Sequence, residues 1–144
     1  AQSIVGTPVS ANGEGFREFM SEVDGFSPGA DAYVYAVVLV RVLDGTTWYY
    51  VGETTSGEDG LEGRLEKHIR GEMKKPVRQN ETDVLDTGVP KDTTDTYVTL
   101  GVERIEAISM DPERLLKART SERERKMAYE IALEKQTTNV LGGS

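Results

Sequence analysis

The chain contains no cysteine, a single histidine and a single tryptophan in 144 residues. Without thiols, disulfides, thiolate catalysis and sulfur-ligated zinc or iron-sulfur sites are excluded, and a reducing compartment is allowed. A lone histidine also argues against a polyhistidine metal site. No apolar run approaches the roughly 20 residues that a membrane span needs. The opening AQSIVGTPVSANGEG lacks the basic and apolar regions of a secretory signal. The expectation is a soluble, cytoplasmic protein without membrane contact. Positive charge is scarce as well: 17 Lys and Arg stand against 25 Asp and Glu, a net charge of -8. With few lysines and many threonines, this balance resembles that of halophile proteins, from salt-rich cytoplasm. It also runs against the basic footprint that a nucleic-acid binder normally carries.

One neighbourhood departs from this acidity. Residues 61 to 80 place Arg64, Lys67, Arg70, Lys74, Lys75 and Arg78 against Glu62, Glu66 and Glu72. Such a run is often only a solvated face, but it directly follows the stretch WYYVGETTSGEDG, where an aromatic strand end meets a glycine.

The length suits one compact domain. Residues 1–30 read as a tail and a helix packing on the core, the helix over 11 to 24 with Phe16, Phe19, Met20 and Val23 on one face. Residues 31–144 form the rest of that domain. AYVYAVVLVRV and WYYVG, joined by a turn containing Asp44-Gly45, predict a β-hairpin. Leu61, Leu65 and Ile69 predict an amphipathic helix ending near Gly71, with Pro76 as a stop, and residues 76 to 95 read as loop. TYVTLGVERIEAI predicts a third strand. Asp111-Pro112 opens a short helix. Ser121, with Glu124 three residues on, predicts the capping box of a final one, and TTNVLGGS reads as loop. The expected fold is α+β: a small three-stranded antiparallel or mixed sheet flanked by helices.

Arg64 and His68 lie one turn apart at about -60° and -20° from Leu61, taking ~100° per residue, at the rim of the apolar face. Glu130 and Glu134 lie likewise along the edge of the Met127 and Ile131 stripe. The hairpin supplies hydroxyls from Tyr33 or Tyr35 and from Tyr49 or Tyr50, and Gly52 leaves room for a ligand backbone. Phenol, guanidinium, imidazole and carboxylate around one cleft suit phosphodiester hydrolysis. The guanidinium fork holds phosphoryl charge, and a carboxylate-bound Mg²⁺ neutralises it.

YVY at 33 to 35, YVG at 50 to 52, LEGRLEKH, and a late helix carrying AYEIALE with an asparagine after it together resemble the GIY-YIG nuclease family over residues 32 to 141. The resemblance implies a three-stranded antiparallel sheet flanked by helices and hydrolysis of DNA with one divalent metal, Mg²⁺ or Mn²⁺. By this resemblance Tyr35 and Tyr50 are the motif tyrosines, Arg64 the arginine of the following helix, and His68 the histidine one turn later. Glu130 is the metal-binding glutamate, with Glu134 its rival, and Asn139 the late asparagine. Tyr33 stands where the family usually has glycine, so it remains the alternative to Tyr35. Gly52, Lys67, Arg70, Lys74, Lys75 and Asn139 would contact the substrate. The expected mechanism has Tyr35, assisted by His68 or Tyr50, activating water, with Arg64 clamping the phosphate. The competing expectations are an inactive nucleic-acid or protein-binding module on the same fold, and the catalytic fragment of a larger homing, restriction or repair nuclease. Homodimerisation or a fused DNA-binding domain would then provide specificity.

Overall fold

The computed structural model describes residues 2–3, 13–69, 97–109 and 115–142. They form a five-stranded mixed sheet with helices on both faces, in the order β1 (Gln2–Ser3), α1 (Gly13–Met20), β2 (Ala32–Arg41), β3 (Thr47–Thr54), α2 (Gly57–Ile69), β4 (Tyr97–Ile108), α3 (Leu116–Lys135) and β5 (Val140–Gly142). Across the sheet the strands run β1-β4-β2-β3-β5. β3 and β5 are parallel and the other pairs antiparallel.

β2 is central, and its residues from Ala32 to Val37 are all buried. That is why its sequence is a nearly continuous apolar run, since a strand covered on both faces has no solvent side. Its alternation sorts residues by size. Tyr33, Tyr35, Val37 and Leu39 face the layer of α1 and α2, in a cluster with Phe16, Met20, Leu61 and Leu65. The small Ala32, Val34 and Ala36 face α3, packing with Met127 and Ile131. At the hairpin tip the Asp44 carboxylate accepts the Thr46 N–H at 3.1 Å, and Gly45 takes a positive φ of 72°.

β4 follows β2 with two register shifts, between Ala36 and Val37 and between Val38 and Leu39. The residues passed over are Glu103 and Leu100. Bulges re-aim side chains, and these bring Tyr97, Thr99, Val102 and Ile105 to one face, which strict alternation would not do. Thr99 pairs with Leu39, and Ile105 with Tyr35.

The three-stranded expectation misses β1 and β5. β1 pairs with Gly101 and Val102, while β5, in the segment read as loop, pairs with Tyr49 to Val51. No break before Ser121 separates the expected final helix from residues 116–118. α3 runs unbroken from Leu116 to Lys135, and its N-cap position Leu115 makes no side-chain cap bond. Ser121 is therefore more than a turn inside, and Glu124 is not a capping partner. Gly71, Pro76 and Asp111-Pro112 lie outside the described residues.

Candidate active site

On α2 the buried residues are Leu61, Leu65 and His68, whereas Ile69 is 37% exposed. The expected stripe thus ends on the histidine. Spacings of i+7 and i+8 both fall on a helix's inner face, and hydroxyl groups of the sheet decide between them. The His68 ring, 1% exposed, stands edge-on to the Tyr35 ring with centroids 5.7 Å apart, and 5.0 Å from the Tyr50 ring. Its Nε2 lies 3.2 Å from the Tyr35 hydroxyl. The lone histidine is inside the molecule, behind the rim where its spacing put it.

Gly52 makes this possible. A Cβ at 52 would meet the Tyr35 hydroxyl at 2.5 Å and its Cζ at 2.7 Å. The absent side chain therefore leaves the phenol free to cross the β3 backbone, and the room expected for a ligand is filled by Tyr35. Burial pushes the Tyr35 hydroxyl well above the usual phenol range. A phenolate at Tyr50 and the charge of Glu124 would each raise it further, and the neighbouring Arg64 guanidinium opposes them. Tyr50 is also raised, first by burial, then by Glu124 and more weakly by Glu53, with Arg64 again opposing. At neutral pH both phenols hold their protons, and the Tyr35 hydroxyl is hydrogen-bonded to Nε2.

Glu124 is the carboxylate whose charge acts on both phenols, and it is the residue that the sequence reading spent on a helix cap. It shares a helical stripe with Thr120, Met127 and Ile131, all three buried against the sheet. An acidic group on such a stripe is the signal that could have found it. Lys117, in the first turn of α3, forms an ion pair with Glu53, next to Gly52. That contact ties the end of α3 bearing Glu124 to the edge of β3.

Glu130 and Glu134 are elsewhere. Glu134 pairs with Arg104 Nη1 at 2.7 Å, and the charge of Glu130 acts on Arg104 and Arg123. Arg104 pairs in register with Ala36, whose side chain faces α3, so both glutamates serve the sheet face opposite α2. With those two carboxylates alone the nuclease expectation would fail.

Tyr33 is separate too. Its ring stacks on Phe26 at 5.8 Å, and its hydroxyl donates to the Ser27 carbonyl at 2.7 Å while accepting the Ala30 N–H. Between the alternatives, Tyr35 is the tyrosine beside His68. Asn139 is occupied in docking β5: its Nδ2 donates to the Thr47 carbonyl at 3.2 Å, and its own carbonyl accepts the Tyr49 N–H. Lys67 is exposed on α2. Arg70, Lys74 and Lys75 lie outside the described residues.

No protein-family model, curated protein or solved structure matches this chain.

What the site offers rests on its own chemistry. Arg64 is exposed and Tyr50 and Glu124 are half-buried, while Tyr35 and His68 are enclosed behind them. Among the described residues no group of three or more His, Asp or Glu could hold a metal. A single glutamate does fit Mg²⁺, which keeps most of its waters and takes one or two carboxylates. Among the described residues, no helix is long and apolar enough to cross a membrane.

Proposed function

We propose that the chain is a divalent-metal-dependent DNA endonuclease of the GIY-YIG type, with Glu124 in the role first expected of Glu130. One observation carries this reading: the Tyr35 hydroxyl lies over Gly52 and 3.2 Å from the sole imidazole, and the charges of Arg64 and Glu124 both act on Tyr35 and Tyr50.

Arg64, the exposed cation, holds the non-bridging oxygens of the scissile phosphate, where its fork suits the charge that builds in the transition state. Tyr50, the phenol that reaches solvent, orients the attacking water. Tyr35 is enclosed and strongly protonated, so it is assigned the task of holding the His68 ring through Nε2. With Nε2 as its unprotonated nitrogen, His68 would receive the water's proton through the Tyr35 hydroxyl, which accepts that proton as it passes its own to Nε2. A Mg²⁺ or Mn²⁺ ion carried by Glu124 would supply the positive charge that polarises the phosphate and the departing oxygen.

A second reading, a phosphate-binding module without cleavage, has one observation in its favour: Tyr35 at 0% and His68 at 1% exposure leave only Arg64, Tyr50 and Glu124 facing outward. Purified protein incubated with supercoiled plasmid and Mg²⁺, with and without EDTA, separates the two. Nicking that EDTA stops supports the nuclease. Retention of plasmid that weakens steeply with salt, without nicking, supports the binder. Homodimerisation or a fused DNA-binding domain is the proposed source of sequence preference.

A further inference from the structure

We propose that Lys117 is a second phosphate-binding cation, taking a backbone phosphate of the DNA strand next to the one that Arg64 holds; the proposal rests on the nuclease reading of the cluster. Lys117 stands in the first turn of α3 and pairs with Glu53, the residue after Gly52 on β3. The two partners are unequally placed: the Glu53 side chain is 16% exposed and that of Lys117 65%. A carboxylate largely enclosed by the protein thus anchors an ammonium that faces solvent. An ammonium has three N–H donors, so a bond to Glu53 leaves two for a phosphate.

Helix geometry puts this cation at the site. At ~100° per residue, Glu124, seven positions on, lies about 20° from Lys117 around α3, so the two share one stripe of the helix. The charge of Glu53 acts on the Tyr50 hydroxyl together with those of Glu124 and Arg64. Lys117 is therefore tied to one of the groups that surround this phenol. A strand laid across Tyr50 presents phosphates in series, the scissile one to Arg64 and a neighbour to Lys117. In a chain of net charge -8, with no general basic surface to attract DNA, single placed cations of this kind must provide the contacts.

Equilibrium binding of a short fluorescent duplex of mixed sequence tests this, in EDTA to withhold the metal and across a range of salt. The proteins compared are wild type, Lys117→Ala, Lys117→Arg, Glu53→Gln and Lys126→Ala. Lys126, exposed nine positions on, lies about 180° from Lys117 around α3 and serves as the control. Lys117→Ala is expected to bind more weakly and to lower the slope of log affinity against log salt by about one, as the loss of one phosphate contact does. Lys117→Arg and Lys126→Ala are expected to keep the wild-type slope. Glu53 competes with the phosphate for the ammonium, so Glu53→Gln is expected to bind at least as tightly as wild type. An ion pair that only braced α3 would make Lys117→Ala and Glu53→Gln act alike, with the slope unmoved, and that result overturns the proposal. Should Lys117→Ala fail to fold with Glu53 left unpaired, the double variant Lys117→Ala, Glu53→Gln is read for the same fall in slope. A wild type that nicks plasmid while Lys117→Ala keeps its slope sinks the proposal and spares the nuclease reading. The expected slopes without nicking do the reverse, and a wild type that binds no duplex overturns both.

Discussion

The hydroxyl of Tyr35 lies over the backbone of Gly52, where an added methyl carbon would stand 2.5 Å from its oxygen. Two neighbouring strands are thus matched at one point, a glycine on β3 making way for a tyrosine on β2, and the match points the phenol toward His68.

Replacing Gly52 by alanine should therefore destabilise the protein by about 1–3 kcal/mol, the usual range for overpacking a filled site. In a Tyr35→Leu background, where no ring crosses the strand, the same substitution should cost clearly less. Denaturant unfolding of the four proteins measures that coupling. Equal costs in both backgrounds would show that the phenol does not occupy the space over Gly52.

The raised phenols predict alkaline lability. A folded state that keeps a tyrosine proton which the unfolded chain releases loses stability as pH climbs past the ordinary value of 10.0. The slope is about 1.4 kcal/mol per pH unit for each phenol still protonated. Stability measured between neutral pH and the alkaline limit should fall more gently in Tyr35→Phe than in wild type. Parallel curves would mean that the Tyr35 hydroxyl is not held protonated by the fold.

Much of the scaffold was legible in the sequence, because its signals are local. The β-branched runs around Asp44-Gly45 gave the hairpin, and the spacing of Phe16 and Met20 gave the inner face of the first helix, which stops at Met20 rather than at residue 24 and leaves Val23 buried in the turn that follows. β1 and β5, two and three residues long, are too short for any periodicity to show and exist only because β4 and β3 offer them edges. The Ser121 and Glu124 pair has the form of a helix start, but α3 gains more by running on, since its buried stripe begins at Thr120. That local resemblance concealed Glu124. The choice of His68 over Ile69 for the inner face was equally hidden, being made by Tyr35 and Tyr50 from distant parts of the chain.

Glu130 and Glu134 should be dispensable for cleavage. Glu130→Gln and Glu134→Gln are expected to nick plasmid at wild-type rates, with melting temperatures nearly unchanged, because ion pairs open to solvent contribute little. Loss of nicking in either variant, with the fold intact, would move the metal site back toward Arg104.

Arg64→Lys keeps the charge but loses the fork. The expected result is a fall in kcat of roughly ten- to a hundredfold with the fold unchanged, read from single-turnover nicking. A rate equal to wild type would show that a point charge is all the phosphate requires.

The most direct measurement compares purified wild type, Glu124→Ala and Glu130→Ala on supercoiled plasmid with Mg²⁺, with EDTA as the control. The account predicts that wild type and Glu130→Ala produce open circles, that EDTA abolishes this, and that Glu124→Ala produces none while remaining folded. Undiminished nicking by Glu124→Ala, or none by wild type at low and high salt, would contradict it.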